Sequence, residues 1–159
     1  AMAKHRGLCP GLSWSEKKAE TEEFRELVAQ LGLGLENRLT AHVGLLSGGQ
    51  RQAITLLMAT LVRPKLLLLD EHTAALDPKT AEKVLEITNR IVAEQQLTTL
   101  MITHNMRDAL RFGNRLIMMH DGRPIVDVRG EEKARLTPAD LLRYFEEAGD
   151  GVSDKLMLG

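Results

Sequence analysis

Leu66-Leu67-Leu68-Leu69-Asp70-Glu71 is the stretch whose reading decides the fold. Four consecutive leucines fit a helix or a strand by periodicity alone, so the flanking residues must arbitrate. Pro64 stands before the run, and the acidic pair and then Asp77-Pro78 close it off, leaving an apolar segment too short for a helix. A run this short and apolar at every position predicts a central parallel strand covered on both faces. Its carboxyl end carries two adjacent carboxylates, at the edge of the sheet where α/β proteins bind ligands.

Downstream, Val84, Ile87 and Ile91 recur at helical spacing and predict a helix from Pro78 to Gln95. Thr98 to Thr103 (TTLMIT) then reads as a second buried strand. Strand, helix, strand in that order argues for an α/β layered sheet with a right-handed crossover, with His104 just past the second strand. A short helix is expected over 106–112. Leu116 to Met119 and Ile125 to Val128 flank Asp121-Gly122, a hairpin signal that Pro124 opposes. Thr137, Pro138 and Asp140 supply N-cap, N1 and N3 for a last helix reaching Ala148, with the final residues expected to fray.

Upstream, Phe24, Leu27, Val28 and Leu31 predict an amphipathic helix that starts near Ser15 and stops at Gly32 and Gly34. Ser47 and two glycines open the next helix, with Ile54, Leu57, Met58, Leu61 and Val62 as its expected apolar face before Pro64. The sequence contains no internal repeat and no low-complexity stretch.

Composition narrows the function classes. The chain has 159 residues, enough for one modest core. Lys+Arg number 21 against Asp+Glu 22, which removes the basic excess of a protein whose main partner is nucleic acid. The single cysteine, Cys9, forms no internal disulfide and sits in no metal-ligand spacing, which fits a reducing compartment. No run reaches the roughly 18 apolar residues that a membrane-spanning helix needs.

Three constellations carry chemistry. In Ser47-Gly48-Gly49-Gln50, two glycines let backbone approach an anion while a helix begins, so free N–H groups and the positive dipole end face one point. The same residues also suit an ordinary serine N-cap. Asp70 and Glu71 suit a divided task, one carboxylate holding Mg²⁺ and the other accepting a proton from an attacking water, although an acidic pair after a strand is often only a solvated turn. His104 at the next strand end can hydrogen-bond a phosphate or that water as a neutral imidazole, whereas His5, His42 and His120 are read as solvated or capping residues.

The order Leu46-Ser47-Gly48-Gly49-Gln50-Arg51-Gln52, Leu66 to Glu71, Ala75-Leu76-Asp77-Pro78 and Thr103-His104 resembles the ATP-binding subunits of ABC transporters over about residues 10–130. The resemblance implies a partial P-loop NTPase fold of parallel strands with flanking helices. Residues 1–63 would be part of the helical subdomain, 64–150 the C-terminal part of the ATP core and 151–159 a tail. Ser47, Gly48, Gly49 and Gln50 match the family's signature loop, which contacts the γ-phosphate of ATP held by the opposite subunit of a head-to-tail dimer. Asp70 matches the Mg²⁺-binding Walker B aspartate and Glu71 the general base. Ala75, Leu76 and Asp77 match the D-loop that crosses the dimer interface, and His104 the switch histidine. The implied cofactors are ATP and Mg²⁺, and the implied partners are transmembrane permease subunits and a second ATPase subunit, with no nucleic acid. The implied location is cytoplasmic, peripheral on the inner face of the cell membrane. The wording around Asp70-Glu71-His72-Thr73 most resembles bacterial small-solute importers, with His72 standing where many relatives have proline.

One departure is large: no Gly-Lys dipeptide occurs, so the G-x-x-x-x-G-K-[ST] loop that cradles a subunit's own nucleotide has no match. The family's glutamine loop is unmatched as well. The expectation is a subunit represented from partway through its helical subdomain, inactive in hydrolysis by itself and prone to self-association through open sheet edges. Two alternatives share the motifs: a soluble ABC ATPase acting on nucleic acid or ribosomes, and a non-hydrolysing remnant that only binds a partner.

Overall fold

The computed structural model describes residues 18–157, with side chains over 21–149. The chain divides into two compact units, Ala1–Ile102 and Thr103–Gly159.

In the first unit, α1 (Lys18–Ala29) ends in glycines at 32 and 34 that take positive φ, followed by single 3₁₀ turns at Leu35–Asn37 and Val43–Leu45. Residues 15–17, where the sequence places the start of this helix, lie outside the described residues. Helix α2 (Gly48–Thr60) starts at Ser47 and ends ahead of Pro64. β1 (Leu67–Asp70) and β2 (Thr99–Ile102) pair in parallel, Leu67 opposite Thr99 and Asp70 opposite Ile102. The crossover between them is α3 (Pro78–Glu94), opened by Asp77 as N-cap, whose carboxylate accepts from Thr80 N at 3.1 Å, and by Pro78 in the first turn, where its missing N–H costs nothing.

Leu67 and Leu69 meet Ile87, Ile91, Ala53 and Leu56 in one buried cluster. Each such aliphatic side chain contributes about 1.5–3 kcal/mol by leaving water. Within the first unit, and among its described residues, the sheet is nonetheless covered on one face only, contrary to the two covered faces expected from the leucine run. Leu68, Leu100 and Ile102 are 64%, 52% and 52% exposed. The reason is layer count: α2 and α3 both contribute to the cluster on the Leu67/Leu69 side, and alternation along a strand sends Leu68 and Asp70 to the other.

Of the face expected for helix α2, Ile54 and Leu57 pack against this cluster at half-burial, but the most buried positions lie beside it. Gly49, Ala53, Leu56 and Thr60 are buried, while Met58 and Val62 are exposed. Gly49 lets α2 approach Thr80 and Val84 of α3 closely, which brings this side of the helix deepest into the packing. Thr60 is accommodated because its hydroxyl donates to Leu56 O at 3.0 Å.

The second unit holds α4 (Met106–Arg111), the antiparallel pair β3 (Arg115–His120) and β4 (Arg123–Arg129), α5 (Gly130–Arg135) and α6 (Pro138–Met157). The hairpin forms as the Asp121-Gly122 signal requires, both residues at positive φ. Pro124 is absorbed by a register irregularity between Met118 and Met119. Leu116, Val126, Val128 and Leu141 make its core. Thr137 and Asp140 cap α6 reciprocally, and the helix continues past Ala148 to Met157.

Candidate functional site

The Ser47–Gln50 loop is a complete capping box. Ser47 Oγ accepts from Gln50 N at 3.3 Å, and Gln50 Oε1 accepts from Ser47 N at 3.0 Å. Gln50 Nε2 donates onward to Leu33 O at 3.1 Å, tying the start of α2 to the loop after α1. The spacing Ser-x-x-Gln was a legible signal for this box, and the N-cap reading is therefore realised in full. Gly48 and Gly49 occupy the first turn, where backbone N–H groups have no intrahelical acceptor and the helix dipole is positive.

Both glycines face the segment after β1. A β-carbon on Gly48 would stand 2.9 Å from Leu76 Cδ2, and one on Gly49 would stand 2.2 Å from Thr80 Cγ2. Thus the Ser47–Gln50 loop and the Ala75–Asp77 segment, 25 or more positions apart in the chain, are in direct contact. Composition and spacing gave no hint of Thr80 as the residue that closes this contact.

Asp70 ends β1 on the exposed face of the sheet, and Glu71 follows it, also exposed. Glu71 has φ 41°, a left-handed setting that costs a non-glycine residue about 1–3 kcal/mol and persists only where surroundings impose it. Its N–H donates to Ile102 O at 3.0 Å, and its carbonyl accepts from Ala74 N at 3.0 Å. The next residue, His72, is half-buried with Nε2 3.2 Å from Thr88 Oγ1. Burial lowers the His72 pKa below the ordinary histidine value. Asp77 is held below the usual carboxylate range by hydrogen bonds from Thr80, the side chain first and the backbone amide second. His104 belongs to the second unit, exposed and next to Asn105, the N-cap of α4.

Among the described residues no group of three or more His, Cys, Asp or Glu side chains converges to hold a metal. Mg²⁺ usually takes only one or two carboxylates and fills its shell with water and phosphate oxygens, so Asp70 fits a metal held jointly with a nucleotide. The first turn of α2 fits a phosphate group.

Three comparisons bear on identity. Residues 1–74 match the family model described as ABC transporter. The chain is 50% identical over 129 residues to a tyrosine transport ATP-binding protein of Clostridioides difficile, covering 81% of this chain and 51% of that protein. It is 41% identical over 113 residues to a probable amino-acid ABC transporter ATP-binding protein of Sinorhizobium fredii, covering 71% of this chain and 42% of that one. Among solved structures, the ADP conformation of an ATP-binding cassette of an ABC transporter superposes with a TM-score of 0.64 at 26% identity, covering 84% of this chain and 52% of that chain. The chain thus spans about half the length of the relatives it matches. The fold is accordingly the α/β fold of ATP-binding cassettes, in part.

Proposed function

We propose that the chain belongs to the ABC transporter ATP-binding family and serves as part of an ATP-hydrolysing subunit that drives uptake of a small solute, an amino acid before other classes. The observation that carries this reading is the contact between the Ser47–Gln50 loop and Ala75–Asp77 on the same unit that bears Asp70 and Glu71 at a strand end. The two relatives named above are transport subunits, which favours a transporter over an ATPase working on nucleic acid or ribosomes.

The residues divide the work in the following way. Asp70 would hold Mg²⁺ together with phosphate oxygens, and the metal would supply charge neutralisation on the transferring phosphoryl group. Glu71 accepts the proton of the attacking water as general base. Ser47, Gly48, Gly49 and Gln50 act in trans: the capping box of Ser47 and Gln50 holds the loop, and the first-turn N–H groups of Gly48 and Gly49 are presented to the γ-phosphate on a second ATPase subunit. Ala75, Leu76 and Asp77 lie at the interface between the two subunits, and His104 hydrogen-bonds at the γ-phosphate. The sequence carries no cradle for its own nucleotide, so the chain by itself has no hydrolytic activity in this reading. Residues 1–63 face the transmembrane permease subunits as the helical subdomain, 64–150 form the core part and 151–159 a tail. The subunit works on the cytoplasmic face of the membrane, and among the described residues no helix is long and apolar enough to cross it.

Co-purification decides the matter: tagged chain expressed with its genomic neighbours is expected to bring down an integral membrane protein, and the assembled complex to hydrolyse MgATP. Glu71→Gln is expected to lower turnover by roughly 10²-fold or more, as for loss of a positioned base. Salt-sensitive binding to nucleic acid with no membrane partner would overturn the transport reading.

A further inference from the structure

The turn that carries Glu71 contains a hydrogen bond that the general-base reading does not use. Nε2 of His72 lies 3.2 Å from Oγ1 of Thr88 in the body of α3. Thr88 is only 5% exposed, and its hydroxyl donates to Val84 O at 2.8 Å. The hydroxyl hydrogen is therefore spoken for, and what Thr88 offers the imidazole is a lone pair. The ring must donate, which puts the shared hydrogen on Nε2 of His72. Glu71, immediately before it, sits at φ 41° without being glycine, and such a setting has to be imposed from outside. One restraint is the bond from Glu71 N to Ile102 O of β2. The second is the His72 bond, which fixes the following residue to α3. Strand on one side and helix on the other hold the turn between them.

We propose that His72 is a positioning residue: by donating Nε2–H to Thr88 it clamps the β1–α3 turn and fixes the backbone from which the Glu71 carboxylate projects. The structural part of this inference stands alone, and its kinetic consequence rests on the reading of Glu71 as general base. Volume is nearly unchanged in Thr88→Val, which removes the acceptor, whereas Thr88→Ser keeps it; His72→Gln keeps a donor that His72→Ala lacks.

In the chain itself, amide exchange at Glu71, Ala74 and Leu76 is expected to rise about tenfold in Thr88→Val and His72→Ala, the scale of one lost buried hydrogen bond, and to stay near the parent in Thr88→Ser and His72→Gln. Imidazole ¹⁵N shifts are expected to show the Nε2–H form. In MgATP turnover by the assembled transporter complex, Thr88→Val is expected to lower kcat about tenfold with KM unchanged, and Thr88→Ser to restore it. Unchanged exchange at the turn in both Thr88→Val and His72→Ala, or an Nδ1–H ring, would overturn the clamp. Raised exchange with unchanged kcat, in a complex where Glu71→Gln abolishes turnover, would overturn the positioning role. Should Glu71→Gln leave turnover intact, the base assignment is what has failed, and the exchange comparison still decides the clamp.

Discussion

Thr80 Cγ2 occupies the space that a β-carbon on Gly49 would need, 2.2 Å from the ideal position of that atom. The neighbour is a short, β-branched side chain inside α3 rather than a flexible tip, so it cannot swing aside. Gly49→Ala is expected to cost about 1–3 kcal/mol by overpacking, even though alanine is the better helix former. Thr80→Ser removes the obstructing methyl and leaves only contacts of 3.7 Å. In that background Gly49→Ala should become neutral or slightly stabilising, a reversal of sign that a double-mutant cycle by denaturant unfolding reads directly.

Gly48 makes the complementary case. Its nearest neighbour is Leu76 Cδ2, the end of a flexible side chain at 2.9 Å. Gly48→Ala is therefore expected to change stability by under about 1 kcal/mol. A loss of turnover in the assembled complex with stability preserved would then report on the approach of the second subunit's nucleotide to the loop, separating the two glycines by role.

The open face of the sheet gives another test. Leu68, Leu100 and Ile102 stand together on it, half or more exposed, and such apolar patches favour association. Leu68→Thr is expected to leave stability within about 0.5 kcal/mol, since the side chain already meets water and threonine suits a strand. Light scattering coupled to chromatography should show weaker concentration-dependent association than the parent chain. Equal association in both would count against the face as its origin.

Element identity was legible where local chemistry is unambiguous: Asp77-Pro78 opening α3, Asp121-Gly122 turning the hairpin, Ser47 opening α2. What escaped depends on partners distant in the chain. Leucine composition at 66–69 cannot say how many helix layers cover a strand, and the pattern of α2 cannot say that Gly49 will be buried against Thr80 and Val84 of another helix. Likewise, nothing in the sequence around His72 marks a partner for its ring. Its role in the structure comes from Thr88, a residue made available by the helical phase of α3. α5 is too short for periodicity to reveal, and only its acidic first turn and basic last turn mark it.

The lowered pKa of His72 sets a pH dependence. The unfolded chain takes up a proton near 6.5, and the folded chain does so only at lower pH. Between those two values the unfolded state binds more protons, so stability rises with pH; it is fully present above 6.5 and is lost as pH falls through the folded pKa. His72→Gln, which cannot protonate, should flatten this part of the profile in denaturant midpoints measured across the window. An unaltered slope would mean that other groups carry it.

Lys133 is 5% exposed, and its ammonium donates to the carbonyls of Phe112 and of Gly113, the latter at 2.8 Å. These acceptors lie just past α4, where the negative end of a helix dipole favours a cation, while burial pulls the amine below the ordinary lysine range. Lys133→Met removes the charge and its desolvation but leaves both carbonyls without their donor. Backbone acceptors cannot be deleted along with the side chain, so the loss is expected to prevail, at about 1–3 kcal/mol. The sign with pH is fixed too. Below 10.5 and above the folded pKa the unfolded chain binds more protons, so the parent gains stability as pH climbs through that window, and Lys133→Met should not. Amide exchange in β3 and β4, followed into the alkaline range, would register both effects; a variant as stable as the parent with the same alkaline slope would show that Lys133 is not what fastens the end of α4.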